Sequence, residues 1–340
     1  MIRTRLSRPA FTLIEMMVAM ALALGIMLIL TESFKMALDF VRSANSTGEM
    51  ISQLNGAGIL MSRDLRAEHF LPDDTKPNRG VKLSDQRLDW NGVTGKNWTP
   101  PTGGFFRIVD PNPGVETTDA QGFNINAPAA GHQLHFTAVL SGGTDANQFS
   151  TLVGGATYTS RAAEVAYFLA PMGRSTSVGA GGQQLYNLIR RQRLLAVTIA
   201  DIPSLSGAVA DTEVISALGA NVNTMSSVMN PSNRMTLAAL PGPTPGPASP
   251  RYGEDIVVSN VLSFEVQADW TPGAVAGSTT PPRAFSVNTD APYDFIPGGV
   301  FDTNGSPPPQ SVQIKSLQIL IRIYDPRMKQ ARQNTWKFAM

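Results

Sequence analysis

The sequence predicts an α+β chain: a long N-terminal helix, transmembrane in its first half, packed on an antiparallel β-sheet with long Pro/Gly-rich loops. Three observations carry this expectation. Residues 11–30 are apolar except at Thr12 and Glu15. No proline occurs from Phe11 to Leu71. After Pro72 the apolar period shifts from three or four residues to two, in short runs broken by Gly and Pro.

The first element is a leader over residues 1–10, carrying Arg3, Arg5 and Arg8. An apolar segment over 11–31 follows. Twenty helical residues span about 30 Å, the thickness of a bilayer's hydrocarbon core. Basic residues ahead of such a span predict a cytoplasmic N-terminus, with the body on the far side of the membrane. A cleaved secretory signal fits poorly, because the run is longer than the usual apolar region and ends in TESFKMALDF, without a small-x-small site. A plain signal anchor fits length and charge but leaves Glu15 unexplained. A carboxylate in a membrane helix costs roughly 2–3 kcal/mol or more, so its presence points to function.

Pro9-Ala10-Phe11-Thr12-Leu13-Ile14-Glu15 closely resembles the processing signature of type IV pilin-like proteins. The resemblance implies cleavage between Ala10 and Phe11 by a prepilin peptidase and methylation of the new Phe11 amine. It implies a filament-core role for the 11–31 helix, with Glu15 pairing with the N-terminal amine of a neighbouring subunit during assembly. Ala10 departs from the family's glycine and is small enough to be accommodated. Arg63-Asp64-Leu65-Arg66 is similar to a sequence near the end of the long helix in W-type minor pilins and J-type pseudopilins of type II secretion. The partners implied are other pilins or pseudopilins, the prepilin peptidase and an inner-membrane assembly platform.

The helix is expected to continue over 32–71 as an amphipathic segment. Phe34, Leu38, Val41, Gly48, Ile51, Leu54, Gly58, Met61 and Leu65 form its stripe, and Pro72 ends it. The stripe is expected to pack on the sheet. Arg63 and Arg66 read as a solvated or salt-bridged helix end, with Asp64 free to pair with a nearby cation.

Residues 72–340 read as a β-rich domain. Strands are expected at 105–109, 133–140, 163–170, 184–189, 194–200, 259–268 and 311–324. In the last, Leu317, Ile319, Ile321 and Ile323 share one face. TEVISAL (212–218) reads as a short helix capped by Asp211 or Thr212. The stretch 175–184 reads as a hairpin tip, and 240–250 and 271–309 as loop insertions.

Composition limits the chemistry. Hydrophobic residues make up 42% of the 340-residue chain, enough for a core. The net charge of +1 becomes weakly acidic once the leader is removed, and nucleic-acid binding needs a concentrated basic surface. Arg190, Arg191 and Arg193 are the densest downstream cations and read as an edge or turn with solvated charges. With no cysteine, thiolate catalysis and Cys-based zinc sites are excluded. No nucleotide-binding or hydrolase motif is present. His132 and His135 sit at a spacing that directs them to opposite faces of a strand and are expected at the surface. Asp302-Thr303-Asn304-Gly305 has the flavour of a calcium loop, but its nearest other carboxylates, Asp290 and Asp294, lie across an irregular loop; an Asn-Gly turn is expected. Trp90, Trp98, Phe105 and Phe106 read as a satellite core. The expectation is a non-enzymatic assembly subunit with no cofactor and no metal; the alternative is a membrane-anchored adhesin whose loops contact a surface.

Overall fold

A computed structural model describes residues 12–72, 80–85, 101–110, 116–118, 124–126, 132–140, 148–153, 156–176, 182–197, 217–218, 221–222, 224–235, 237, 254–272, 300–304 and 312–340. It is α+β: one long helix and a large antiparallel sheet. The chain divides into two compact units, Met1–Ile51 and Ser52–Met340.

The helix α1 runs Leu13–Leu65 and contributes to both units. Its sequence is rich in Leu, Met and Ala, which lose little freedom in a helix. In the first unit it stands with its apolar side chains exposed from Leu13 through Val41. In the second, Leu54, Ala57, Met61 and Leu65 are buried. The expected stripe is thus buried only from Leu54 onward: Phe34, Leu38, Val41 and Ile51 are exposed.

The helix also ends earlier than the expected stop at Pro72. Beyond Leu65 the backbone leaves the helical ladder for bridges of Glu68 to Val139 and Phe70 to Val81. Long-range pairing wins over local propensity here. The buried His69 ring sits at the junction, with Nδ1 2.8 Å from the Thr137 carbonyl and Nε2 3.2 Å from the Leu65 carbonyl. Its face packs edge-on to Phe106 and Phe136. Gly104 makes the fit possible. Its φ is +93°, and a Cβ there would strike the His69 carbonyl and the Thr137 hydroxyl.

The strands in chain order are β1 (Phe106–Val109), β2 (Glu116–Thr118), β3 (Asn124–Asn126), β4 (Gln133–Val139), β5 (Phe149–Val153), β6 (Ala156–Ser160) and β7 (Ala162–Ser175). They continue as β8 (Gln184–Leu195), β9 (Ala217–Leu218), β10 (Asn221–Val222), β11 (Glu254–Pro272), β12 (Val300–Asp302), β13 (Val312–Asp325) and β14 (Gln330–Ala339). Eight form the main antiparallel sheet in the order β12-β1-β4-β7-β8-β11-β13-β14. The pairs β2–β3, β5–β6 and β9–β10 are separate ribbons.

Several expected strands merge or lengthen. The expected runs 184–189 and 194–200 meet in one strand, β8, which holds the arginines and ends at Leu195; residues 198–200 lie outside the described residues. Of the expected hairpin tip at 175–184, Thr176 and Gln183 are hydrogen-bonded to each other between β7 and β8, and residues 177–181 lie outside the described residues. Ala217 and Leu218 of the expected short helix lie instead in β9, where pairing with Asn221 and Val222 replaces helical bonds; residues 212–216 lie outside the described residues. The insertion 240–250 also lies outside them. Of 271–309, Thr271 and Pro272 extend β11, Val300–Asp302 form β12 and Thr303 and Asn304 lie in a turn, so part of the expected loop is strand; residues 273–299 and 305–309 lie outside the described residues.

Alternation divides the main sheet into two faces. Tyr167 pairs across to Arg190, and Glu164 pairs across to Arg193. Residues three apart on a strand point to opposite sides, so these pairs mark opposite faces. On the first face Leu317, Ile319, Ile321 and Ile323 are buried together, as the alternation predicts. The helix lies on this side: a Cβ built at Gly58 would fall inside the Trp336 indole, so only glycine lets α1 approach β14 there. On the second face, residues 224–237 pack over Phe168, Ala170, Ile189 and Phe105, through Met225, Val228, Met235 and Leu237.

Candidate functional site: the apolar helix and its two ends

The N-terminal stretch of α1 is apolar on every side. That pattern suits a lipid or helix-packed environment rather than water. The helix is long and apolar enough to cross a membrane once. Polar residues resume at Thr31, whose hydroxyl bonds back to the Met27 carbonyl at 2.7 Å. Exposed i,i+3 ion pairs follow, Glu32–Lys35 at 3.9 Å and Asp39–Arg42 at 3.3 Å. Such pairs contribute little energy but mark where the chain prefers water.

Glu15 sits in the first turn of this helix. Its Oε2 accepts from the Thr12 backbone N–H at 2.8 Å and from the Thr12 hydroxyl at 3.0 Å. The Thr12 hydroxyl in turn lies 3.4 Å from the Glu15 N–H. This is a reciprocal capping box. It satisfies donors that the first turn of any helix leaves without partners, and it sets a carboxylate at the positive end of the helix dipole. The sequence carries the signal, T-x-x-E opening an apolar run, and the reading of Glu15 as an unexplained membrane carboxylate overlooked it. Ala10 and Phe11, the expected cleavage and methylation positions, lie outside the described residues.

The other end of the helix is fixed by charge. Asp64 is fully buried and accepts three hydrogen bonds. Arg190 Nε donates to Oδ2 at 2.6 Å and Nη2 to Oδ1 at 3.2 Å, while the Tyr167 hydroxyl donates to Oδ2 at 2.7 Å. The bidentate geometry is the strong form of this pair. Burial and the Asp64 charge push the Tyr167 hydroxyl well above its usual range. Burial pulls the Arg190 guanidinium down, but the Asp64 charge and hydrogen bonds outweigh it and hold Arg190 more firmly protonated than in water. Within the R-D-L-R sequence, Leu65 is also buried, while Arg63 is exposed with its guanidinium 5.4 Å from the Phe149 ring centre.

The expectation of solvated charges at Arg190, Arg191 and Arg193 is therefore overturned. All three are buried in a strand at the middle of the sheet. Each meets a carboxylate from a different element. Arg190 takes Asp64 of α1, Arg191 lies 3.8 Å from Glu254 of β11, and Arg193 Nη2 lies 2.6 Å from Glu164 of β7. Glu164 also accepts from His135 Nε2 and from the Met235 N–H, both at 2.8 Å. Burial alone would raise the Glu164 carboxyl; Arg193, His135 and the Met235 amide together bring it down to about 2.

The histidines are likewise buried rather than on the surface. His132 bonds through Nδ1 with Val266 and lies 3.6 Å from Asp110, while His135 belongs to the Glu164 cluster. Among the described residues no group of three or more His, Asp and Glu is placed to hold a metal. Asp302 forms a turn with the Asn304 N–H, and its carboxylate is taken by Arg234 at 2.6 and 3.2 Å. A shallow pocket beside Arg107, Gln133 and Met235 includes Arg234, whose guanidinium is already spent on Asp302 and the Val228 and Met229 carbonyls. Phe105 and Phe106 are core residues, as expected; Arg234 lies 3.8 Å over the Phe105 ring. Trp90 and Trp98 lie outside the described residues.

No family model, curated protein or solved structure matches this chain.

An apolar helix, capped by Thr12 and Glu15 at its start, ends at a buried aspartate that holds it to a β-sheet.

Proposed function

We propose that this chain is a minor pilin or pseudopilin: a structural subunit of a type IV pilus or of a type II secretion-like filament. In this reading a prepilin peptidase removes residues 1–10 and the Phe11 amine is methylated. The helix then anchors the subunit in the inner membrane and later enters a filament beside other pilins. The observation that carries the reading is the motif Phe11-Thr12-Leu13-Ile14-Glu15 opening a helix long and apolar enough for one membrane span.

Glu15 has two separable roles in this account. Within its own chain it caps the helix through Thr12. In the assembly its charge meets the Phe11 ammonium of a neighbour, where a low dielectric strengthens the attraction. Glutamine can still complete a capping box but carries no charge. Glu15→Gln therefore separates the roles. The mutant should insert in the membrane and be processed as wild type, yet its recovery with partner pilins should fall at least tenfold. Thr12→Ala, which removes the cap and keeps the charge, should be recovered at close to wild-type levels. The measurement is quantitative mass spectrometry of partner pilins co-purified from membranes. Wild-type recovery of Glu15→Gln would remove the pairing role.

A further inference from the structure

The β13–β14 hairpin concentrates positive charge. Residues 326–340 carry Arg327, Lys329, Arg332 and Lys337 and no Asp or Glu. Of the 27 Lys and Arg in the chain, three lie in residues 1–10 and four here, so residues 11–325 hold 20 against 26 Asp and Glu, a net charge of −6. The hairpin is a cationic pole on an otherwise acidic chain.

It is also a strand edge. β14 pairs with β13 over ten consecutive residues, Gln330 to Ala339, without a bulge, and among the described strands nothing lies on its other side. Proteins usually protect such an edge by shortness, a proline, a bulge or an inward-pointing charge. β14 is ten residues long, has no proline and no bulge, and carries one charge, Arg332, on the face that holds Ile323 and Trp336. It spans about 34 Å at the usual rise per residue. Trp336 and Phe338 tie it to the helix side of the sheet, while Arg332, Gln333, Thr335, Lys337 and Ala339 are exposed. Among the described residues its main protection is cationic charge, which opposes pairing with a second copy that carries the same charges. The same charge favours an acidic strand.

We infer that β14 is a docking edge for an extended, acidic segment of a partner protein, which adds to the sheet as a ninth strand. Backbone hydrogen bonds along β14 supply the binding, and Arg327, Lys329 and Arg332 select for carboxylates. The inference stands on the sheet edge and its charge, independently of the N-terminal processing motif.

The test uses the full chain in detergent micelles and two fluorescein-labelled decapeptides, one alternating Thr and Glu, the other Thr and Lys. Fluorescence anisotropy should show binding of the Glu peptide alone. Hydrogen–deuterium exchange should slow at least tenfold for amides within 330–339 when the Glu peptide is bound. The triple variant Arg327→Glu, Lys329→Glu, Arg332→Glu alters exposed side chains, so its urea unfolding midpoint should match wild type while its affinity for the Glu peptide falls about tenfold or more. Equal binding of both peptides, or binding of the Glu peptide without slower exchange in β14, would overturn the proposal. Slower exchange with an unchanged affinity in the triple variant would equally overturn the charge selection.

Discussion

Burial holds the His69 ring neutral, pushing its titration down to about 4 although the Thr137 and Leu65 carbonyls favour the protonated form. A neutral ring has one N–H, which we assign to the shorter contact with Thr137. Burial also lowers His135 against the hydrogen bond and charge of Glu164, and lowers His132 against Asp110. The sign follows from linkage. In the unfolded chain these histidines take up protons near pH 6.5, while the folded His69 does so only near 4, so stability is lost as pH falls across that interval. Glu164 extends the loss, because its unfolded carboxyl protonates near 4.5 and its folded one near 2. Urea unfolding of the full chain in micelles, followed by tryptophan fluorescence, should therefore lose on the order of 2–4 kcal/mol between pH 7 and pH 4. His69→Leu should flatten part of that slope. A flat profile from pH 7 to 4 would show that these rings titrate as they do in water. The sequence revealed none of this burial: apart from the Leu65 carbonyl beside His69, the hydrogen-bond partners Thr137, Val266 and Glu164 come from distant segments, and spacing alone offered only the two faces of a strand.

At the scale of elements, the Asp64–Arg190–Tyr167 cluster joins the end of α1 to β7 and β8. A buried ion pair is costly to break and far less costly to replace, since removing one partner strands the other charge. Asp64→Asn should cost about 3–5 kcal/mol, and Arg190→Met a similar amount. The double variant Asp64→Leu, Arg190→Met should be less destabilised than either single change, as measured by urea unfolding. Additive losses would mean that the pair is not a coupled unit. How legible these elements were in sequence follows from where their partners lie. The helix and six of the eight strands of the main sheet were readable because their periodicity is local, whereas β12 and the short ribbons β2–β3, β5–β6 and β9–β10 were not. The Ile-rich face of β13 was readable for the same reason. The arginines of β8 were misread because charge between two apolar runs imitates a turn, and the aspartate that neutralises Arg190 is 126 residues upstream. β14 was not foreseen, since QARQNTWKFA is largely exposed and shows little alternation. The helix end was placed at proline, the strongest local stop, whereas the chain leaves the helix at Leu65 to pair with Val139 and Val81.

At the scale of the whole molecule, two kinds of surface need partners that a single chain does not supply. One is the apolar N-terminal helix, which needs lipid or other helices. The other is the cationic edge of β14, which suits an acidic strand. A subunit built for assembly accounts for both. The capping box of Thr12 and Glu15 is local chemistry written in adjacent residues, yet the apolar run around Glu15 drew the reading to its membrane cost instead. The central claim, that this is a processed pilin-like subunit, rests on the bond between Ala10 and Phe11. The most direct measurement is intact and N-terminal peptide mass spectrometry of the protein from membranes of cells containing a prepilin peptidase. The account predicts a chain beginning at N-methylated Phe11, and an uncut precursor when the peptidase is absent. A chain that keeps residues 1–10 in the presence of the peptidase, or one cut after residue 30, would contradict it.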